Sequence, residues 1–142
     1  MPAPPPVLDA AGVTALLDQA FPGFVQHGPR VAHVAPGVVE MVRPYEDGML
    51  RPGGLISGPN LMALADTAAY ALVLAHVGDR LMAVTSQLSI NFLRGAAPGD
   101  LHARAELLRL GRRSAVCDVR LWTEAEDRLA AQAVVTYALP SP

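Results

Sequence analysis

One long apolar stretch, residues 55–78, constrains most strongly what this chain can fold into. Its apolar residues fall on every face at helical spacing, which predicts a helix that is buried all round. Gly58 is the expected N-cap, because Pro59 then occupies the first helical position, where a missing backbone N–H costs nothing. Gly78 is expected to end the helix, since glycine readily adopts the left-handed conformation found there.

A single formal charge, Asp66, lies near the middle of this predicted helix. Burying an unpaired carboxylate is costly, so Asp66 needs either a partner or a chemical role. Two interpretations stay open: the carboxylate is functional, or it is structural and is satisfied by Tyr70 one turn later or by the sheet. A membrane span is not expected, because the charge lies at mid-span and strands follow the helix.

Composition excludes several classes of protein. The 142 residues fit one domain over residues 7–142, preceded by a proline-rich tail over residues 1–6 that is predicted to be disordered. A net charge of −2 argues against a protein that coats nucleic acid or an anionic membrane. All 11 basic residues are arginines, which excludes Schiff-base and phosphate-loop lysines.

The cysteine and histidine content limits the disulfides and metal sites that the chain can form. Cys117 is the only cysteine, so no internal disulfide is possible, and we expect it to be a small core residue. The first residues lack the pattern of a signal peptide, so we expect a cytoplasmic protein. The four histidines show no ligand spacing, and no metal or redox cofactor is expected.

The rest of the chain predicts mostly strands. A short amphipathic helix is expected from about Val7 to Ala20, followed by a hairpin of residues 31–34 and 38–42. Four later segments joined by short turns predict an antiparallel meander; they are residues 83–93, 101–110, 114–123 and 128–139. The fold class is therefore α+β, a curved antiparallel sheet wrapped around one long central α-helix.

The first of these segments has a clear alternation. Its apolar side chains are predicted to face one side of the sheet, and they are Val84, Leu88, Ile90 and Phe92. Its polar side chains are predicted to face the other side, and they are Thr85, Gln87, Ser89 and Asn91.

Four landmarks resemble those of the hotdog-fold acyl-CoA thioesterases of the phenylacetate-degradation (PaaI) type. They stand in the family's order within residues 31–139, and each is weak alone. They are the run from Gly58 to Ala68, the strand from Val84 to Arg94, Pro98-Gly99-Asp100 and Leu110-Gly111-Arg112-Arg113. In that family a sheet wraps a long helix, as the periodicity of this chain independently predicts.

The resemblance implies that the chain hydrolyses an acyl-CoA thioester to the free acid and CoA, with CoA bound as part of the substrate. It implies that Asp66 is the general base or nucleophile. It also implies that the Gly58 N–H polarises the thioester carbonyl and that Thr85 helps to place the attacking water. A helix N-terminus suits the role of Gly58, since its free N–H groups and positive dipole end favour a developing oxyanion.

Helix geometry adds a prediction about assembly. Gly58 and Asp66 are eight residues apart, roughly 12 Å along a helix that rises about 1.5 Å per residue. One carbonyl cannot contact both groups of the same chain, so they must come from different subunits. We therefore expect a homodimer or homotetramer with the site at a subunit interface.

Two positions depart from the pattern of the family. Ser57-Gly58-Pro59 stands where the family commonly has His-Gly-Gly, and Arg51 stands where it often has asparagine. Pro59 offers no N–H, whereas Ser57 is a candidate hydrogen-bonding or capping residue. Arg51 is a candidate ligand for the thioester carbonyl or a CoA phosphate.

Other candidate substrate-binding residues are Asn60, Arg94, Arg112 and Arg113, because arginine binds phosphate bidentately. Each has a simpler interpretation: the arginines are solvated, and Asn60 makes a local hydrogen bond. Trp122 and Tyr137 are expected to serve packing or an interface. Two other functions stay open, a hotdog protein that binds acyl-CoA without hydrolysing it and, last, a hotdog dehydratase.

Overall fold

A computed structural model describes residues 3–141, so Met1 and Pro2 of the predicted disordered tail lie outside it. The helices and strands follow one another in the order α1 Ala10–Ala20, α2 Phe24–His27, β1 Arg30–Ala35, β2 Val38–Arg43, β3 Leu50–Arg51, β4 Leu55–Ile56, α3 Gly58–Val77, β5 Val84–Phe92, β6 Leu101–Leu110, β7 Ser114–Trp122 and β8 Ala131–Ala138. Six strands form one sheet around α3, while β3 and β4 pair separately just before it. The predicted α+β class is confirmed.

The antiparallel sheet has the strand order β1-β2-β6-β7-β8-β5. Strands β6, β7 and β8 form the predicted meander, but β5 pairs with β8 rather than with β6. The expected four-strand meander is therefore wrong at its first strand. The reason is that β2 pairs along β6, from Val38 opposite Glu106 to Arg43 opposite Leu101, which leaves β5 the free side of β8.

Helix α3 forms the centre of the core. Five alanines in its middle and second half are fully buried, which lets the sheet approach closely; they are Ala65, Ala68, Ala69, Ala71 and Ala75. The predicted end of the helix at Gly78 is confirmed. Gly78 has a φ of +81°, and its N–H donates to the carbonyl of Leu74. The N-cap is Ser57 rather than Gly58, because glycine, having no Cβ, can take a helical conformation directly before Pro59.

The first half of α3 is not buried on every face, which corrects the sequence expectation. Met62 is 41% exposed, Ala63 is exposed, and Asp66 is half-buried. These residues lie on the flank beside β5, where the sheet ends. The uncovered flank of α3 is thus continuous with an unpaired sheet edge.

Helix α3 is long and apolar enough to cross a membrane by length and composition alone, with a mean hydropathy of 1.3. However, 67% of that window is buried inside the fold. It is the core helix of the domain and gives no evidence for a membrane span.

Hydrogen bonds of His76 link the end of α3 to the hairpin of β1 and β2. The residue is 7% exposed; Nδ1 lies 2.9 Å from the carbonyl oxygen of Leu72, and Nε2 accepts the N–H of Gly37 at 2.9 Å. Because Nε2 accepts, Nδ1 is the ring nitrogen that donates to the carbonyl of Leu72. The ring is fully engaged in the core, so it is not available as a ligand or catalytic base.

The N-terminal segment differs slightly from its prediction. Helix α1 begins at Ala10 rather than at about Val7, because the carboxylate of Asp9 accepts the N–H of Gly12 at 2.8 Å and caps the helix. The four-residue helix α2 was not predicted. Such a short segment has too few residues to show a helical period.

Replacing Gly78 with alanine tests the end of α3. Its backbone (φ +81°, ψ −150°) lies in a region that only glycine adopts readily, so Gly78→Ala should lower the free energy of unfolding by about 1–3 kcal/mol. Gly48→Ala is the matched control, because an added Cβ meets nothing within 4 Å there and φ is not positive. Denaturant unfolding measures both variants; equal stabilities would contradict the assignment.

Candidate active site

A β-bulge in β5 brings Thr85 to α3. Thr85 lies opposite Tyr137 and Gln87 lies opposite Thr136, so Ser86 is an extra residue in β5. The extra residue shifts the alternation, and Thr85 shares the helix-facing side of the sheet with Leu88. The predicted alternation, which grouped Thr85 with Gln87 and Val84 with Leu88, is therefore wrong at this end of the strand.

Asp66 is held by two hydroxyl groups. Thr85 Oγ1 donates to Asp66 Oδ1 at 2.6 Å, and the Tyr137 hydroxyl donates to the same oxygen at 2.7 Å. The Tyr137 hydroxyl also lies 3.1 Å from the main-chain carbonyl oxygen of Asp66. The carboxylate at mid-helix therefore has partners on the sheet, one on the edge strand β5 and one on β8.

Two sequence expectations about this cluster are corrected. Tyr137 was expected to serve packing or an interface, yet it contacts Asp66 directly. Tyr70, proposed as a structural partner one turn along, instead donates to the carbonyl of Leu81 at 2.8 Å. No local pattern marks Tyr137, because its contact depends on how β8 is aligned with a helix 71 residues earlier.

The Tyr137 hydroxyl is a stable donor. Burial raises its pKa far above the ordinary value for tyrosine; the hydrogen bond with Thr85 opposes this, and the hydrogen bond and charge of Asp66 add to it. The phenol therefore stays protonated across the working pH range of most enzymes. It can donate to Asp66 whenever the carboxylate is ionised.

A cavity of about 260 Å³ opens beside Asp66. Its lining residues are Phe21, Asp66, Thr67, Tyr70, Leu81, Ala83, Val84, Thr85 and Tyr137. Among these described residues Asp66 is the only charged one. The rings of Tyr137 and Tyr70 stack at 5.7 Å between centroids, and Phe21 meets Tyr70 edge-on at 6.0 Å. The carboxylate is thus reachable from outside but stands against an apolar, aromatic wall.

A separate cavity of about 560 Å³ surrounds the beginning of α3. Gly58, Arg51, Arg94 and Phe92 are among its lining residues, and none of its lining residues belongs to the Asp66 cavity. The first backbone N–H groups of a helix have no partner within the helix, so this cavity lies at the end of α3 suited to a negative charge. The structure therefore groups Gly58 with Arg51 and Arg94, but not with Asp66 of the same chain.

Ser57 and Asn60 lie beside Gly58 and bind each other. The Asn60 side-chain nitrogen donates to Ser57 Oγ at 2.7 Å and lies 3.4 Å from the carbonyl oxygen of Met49. Their local hydrogen bonds agree with the simpler interpretation of Asn60. A role of either residue in substrate binding stays a prediction.

Arg112 and Arg113 lie in a third cleft, of about 630 Å³, together with Arg80 and Arg109. Arg80 and Arg109 were not predicted as site residues: Arg80 lies far from Arg112 in the sequence, and Arg109 lies within strand β6, just before the turn that carries the resemblance. Ser114 lines this cleft and Val84 lines the Asp66 cavity, and both pair with Ala138. Two strand spacings of about 4.8 Å separate Ser114 from Val84, so a lining residue of the cleft lies on the order of 10 Å from a lining residue of the Asp66 cavity.

Cys117 is fully buried on β7, as predicted, and burial raises the pKa of its thiol to about 12. It is therefore unsuited to nucleophilic catalysis. Within residues 3–141 no group of three or more His, Cys, Asp or Glu side chains could hold a metal ion. That no metal takes part in the reaction stays a prediction.

Comparison with known proteins agrees with this architecture. The family model described as "Thioesterase superfamily" matches residues 53–130, more than half of the chain, including α3, β5, β6 and β7. The chain belongs to this superfamily, and it is a thioester hydrolase with the hotdog fold.

Two solved structures and one curated relative illustrate the likeness. A provisionally named thioesterase from Silicibacter sp. TM1040 is 39% identical, with a TM-score of 0.86 and coverage of 95% of this chain and 94% of that one. A provisionally named thioesterase from Ralstonia eutropha JMP134, described as related to phenylacetic acid degradation, is 27% identical, with a TM-score of 0.76 and coverage of 87% and 98%. A provisionally named esterase from Thermoplasma acidophilum is 24% identical over 83% of this chain and 89% of its own.

The burial of Cys117 predicts its reactivity. Because burial raises the pKa of the thiol to about 12, very little thiolate is present at pH 8, and the thiolate fraction rises with pH. The native protein should therefore not react with Ellman's reagent at pH 8, and one thiol should react after unfolding in denaturant. Absorbance of the released thiolate measures this; rapid labelling of the native protein would contradict the burial.

Proposed function

We propose that this protein hydrolyses acyl-CoA thioesters to the free acid and CoA at sites shared by two copies of the chain. One observation carries the proposal: Asp66 and Gly58 line separate cavities that have no residue in common. They lie roughly 12 Å apart along α3 at about 1.5 Å per residue. A thioester carbonyl that touches the Gly58 N–H of one chain must therefore meet an Asp66 supplied by another.

The partner is a second copy that covers the exposed flank of α3 and β5. Strand β5 ends the sheet, with Val84 at 57% and Phe92 at 53% exposed, and Met62 of α3 lies beside it. An unpaired edge with exposed apolar side chains favours pairing with another strand. A two-fold axis beside β5 would bring two α3 helices together in opposite directions and place each Gly58 near the partner's Asp66. Homodimers formed in this way, or homotetramers built from them, are the proposed assemblies.

The reaction follows from the roles of the three groups. Asp66 removes a proton from water as the oxygen of that water attacks the thioester carbon, and the carbonyl oxygen gains the electron pair. The Gly58 N–H of the other subunit and the positive end of its α3 stabilise this oxyanion. The C–S bond then breaks, and the CoA sulfur takes up the proton held by Asp66. Thr85 donates to Asp66 and keeps lone pairs that can accept a hydrogen bond from the water.

The arginines are proposed to bind the rest of CoA. Arg112 and Arg113, with Arg80 and Arg109 beside them, form a cationic cleft close to the Asp66 cavity, and guanidinium groups bind phosphate bidentately. Arg51 and Arg94 are proposed to contact the thioester or CoA at the Gly58 end, where Ser57 and Asn60 shape the cavity edge.

No metal or redox cofactor is proposed to take part. The free thiol of Cys117 and the burial of the apolar helix are consistent with a cytoplasmic enzyme.

The shared site is tested with two variants that remove different groups. Asp66→Asn should lower kcat by about 10²–10⁴-fold on a panel of acyl-CoA esters assayed by thiol release. Gly58→Pro, which removes the N–H at the first helical position, should lower kcat by about 10²–10³-fold. Gly58→Ala keeps the N–H and separates the steric effect from the loss of the donor: its Cβ meets the exposed Phe92 ring at 3.4 Å and stands directly before Pro59, so any fall in kcat that it shows is the steric part of the Gly58→Pro effect.

Mixed dimers made by co-expressing Asp66→Asn with Gly58→Pro carry both defects in one site and none in the other. They should recover about half of the wild-type rate per dimer, because one of the two sites is intact. Inactive mixed dimers, or an active monomer in analytical ultracentrifugation, would contradict the shared site.

Phosphate binding by the cationic cleft of Arg112 and Arg113 is tested by comparing two substrates. Arg112→Gln with Arg113→Gln should raise KM for an acyl-CoA by about tenfold or more. The double variant should leave KM for the N-acetylcysteamine thioester of the same acid unchanged, because that thioester has no phosphate. Arg120→Gln is the control, since Arg120 is exposed on β7, pairs with Asp118 and does not line the cleft. Equal effects on both substrates would refute phosphate binding by Arg112 and Arg113.

A further inference from the structure

The two carboxylate oxygens of Asp66 differ sharply in their surroundings. Thr85 and Tyr137 both donate to Oδ1, at 2.6 and 2.7 Å, and within residues 3–141 no hydrogen bond reaches Oδ2. A carboxylate oxygen has two lone-pair sites, so these two donors fill those of Oδ1. Oδ2 is left as the oxygen able to take a proton from water.

We propose that Tyr137 is a positioning residue that holds Asp66 so that Oδ2 is the reacting oxygen. The proposal rests on the proposed role of Asp66 as the base for thioester hydrolysis. It deepens that role, because it assigns the base to one oxygen and names the side chain that selects it.

The Tyr137 hydroxyl contacts both the carboxylate and the main chain of Asp66, and its one proton points to the nearer Oδ1. The hydroxyl lies 2.7 Å from Oδ1 and 3.1 Å from the main-chain carbonyl oxygen of the same residue. A group that contacts the main chain and the carboxylate together restricts the side-chain torsions between them. Rotation of the carboxyl group would break the contact with Oδ1, so Oδ2 keeps a fixed direction.

Tyr137 is the more rigid of the two donors. It is 4% exposed, lies on β8 between β7 and β5, and stacks on Tyr70 with 5.7 Å between ring centroids. Thr85, in contrast, is exposed on the edge strand β5, next to a bulge. The placement of Asp66 relative to the core is therefore set by Tyr137, whereas Thr85 belongs to the open side that water reaches.

Two matched variants separate positioning from packing. Tyr137→Phe removes the hydroxyl that touches Asp66, and Tyr70→Phe removes a neighbouring hydroxyl in the same ring stack that donates to the carbonyl of Leu81 instead. Tyr137→Phe should lower kcat by about 10–100-fold with KM changed by less than about threefold, since loss of alignment affects the reacting geometry more than binding. Tyr70→Phe keeps the ring that lines the cavity and stacks on Tyr137 and removes only the hydroxyl bonded to Leu81, so its loss of kcat should be smaller than that of Tyr137→Phe by about threefold or more.

A second measurement does not depend on turnover. In protein labelled with ¹³C at aspartate Cγ, the Asp66 signal at fixed pH should shift or broaden in Tyr137→Phe and stay in place in Tyr70→Phe. Equal losses of kcat in the two variants, or an Asp66 signal that is the same in wild type and Tyr137→Phe, would overturn the proposal. A wild-type protein that hydrolyses no acyl-CoA would refute the proposed function instead, and the NMR comparison would still decide whether Tyr137 places the carboxylate.

Discussion

Burial of α3 is the constraint on which the rest of the structure depends. A helix that is apolar on nearly every side gains roughly 1.5–3 kcal/mol for each large side chain removed from water, and Leu72, Val73 and Leu74 are all fully buried. A single flat sheet could cover only one side of such a helix. The six-stranded sheet therefore curves around it, and α1 adds a further covering element. The sheet ends at β5, so the part of α3 that lies beside β5 is the part exposed to solvent.

The candidate site lies where this cover ends, and its location has a physical reason. Asp66 is the only charged residue of α3, and among the buried residues 68–76 in the second half of the helix its carboxylate would have no access to water. At the flank beside β5 it is half-buried, bound by two hydroxyls on one oxygen and open on the other. The same uncovered flank thus accommodates the charge, admits water and leaves apolar side chains exposed.

Features that depend on neighbouring residues could be predicted from the sequence, and features that depend on distant strands could not. The extent of α3, its end at Gly78 and the hairpin of β1 and β2 follow from local spacing and from glycine and proline chemistry. The bulge at Ser86 and the pairing of β5 with β8 depend on strand alignment, which alternation alone does not encode. Asp66 stood out because it is a lone charge in an apolar helix. Tyr137 did not, because one tyrosine among many apolar strand residues carries no signal of its contact.

The separation of Gly58 from Asp66 links the chemistry to assembly. A helix offers its unpaired N–H groups only at its first turn, whereas a carboxylate held by the sheet must lie beside strands that cover the middle of the helix. These two requirements place the groups on one helix but out of reach of a single carbonyl. In the proposed dimer two antiparallel copies would remove the conflict, because the first turn of one α3 would lie beside the middle of the other. In this arrangement the surface buried between the copies and the reaction centre are the same place, so a substitution that weakens association should also reduce hydrolysis.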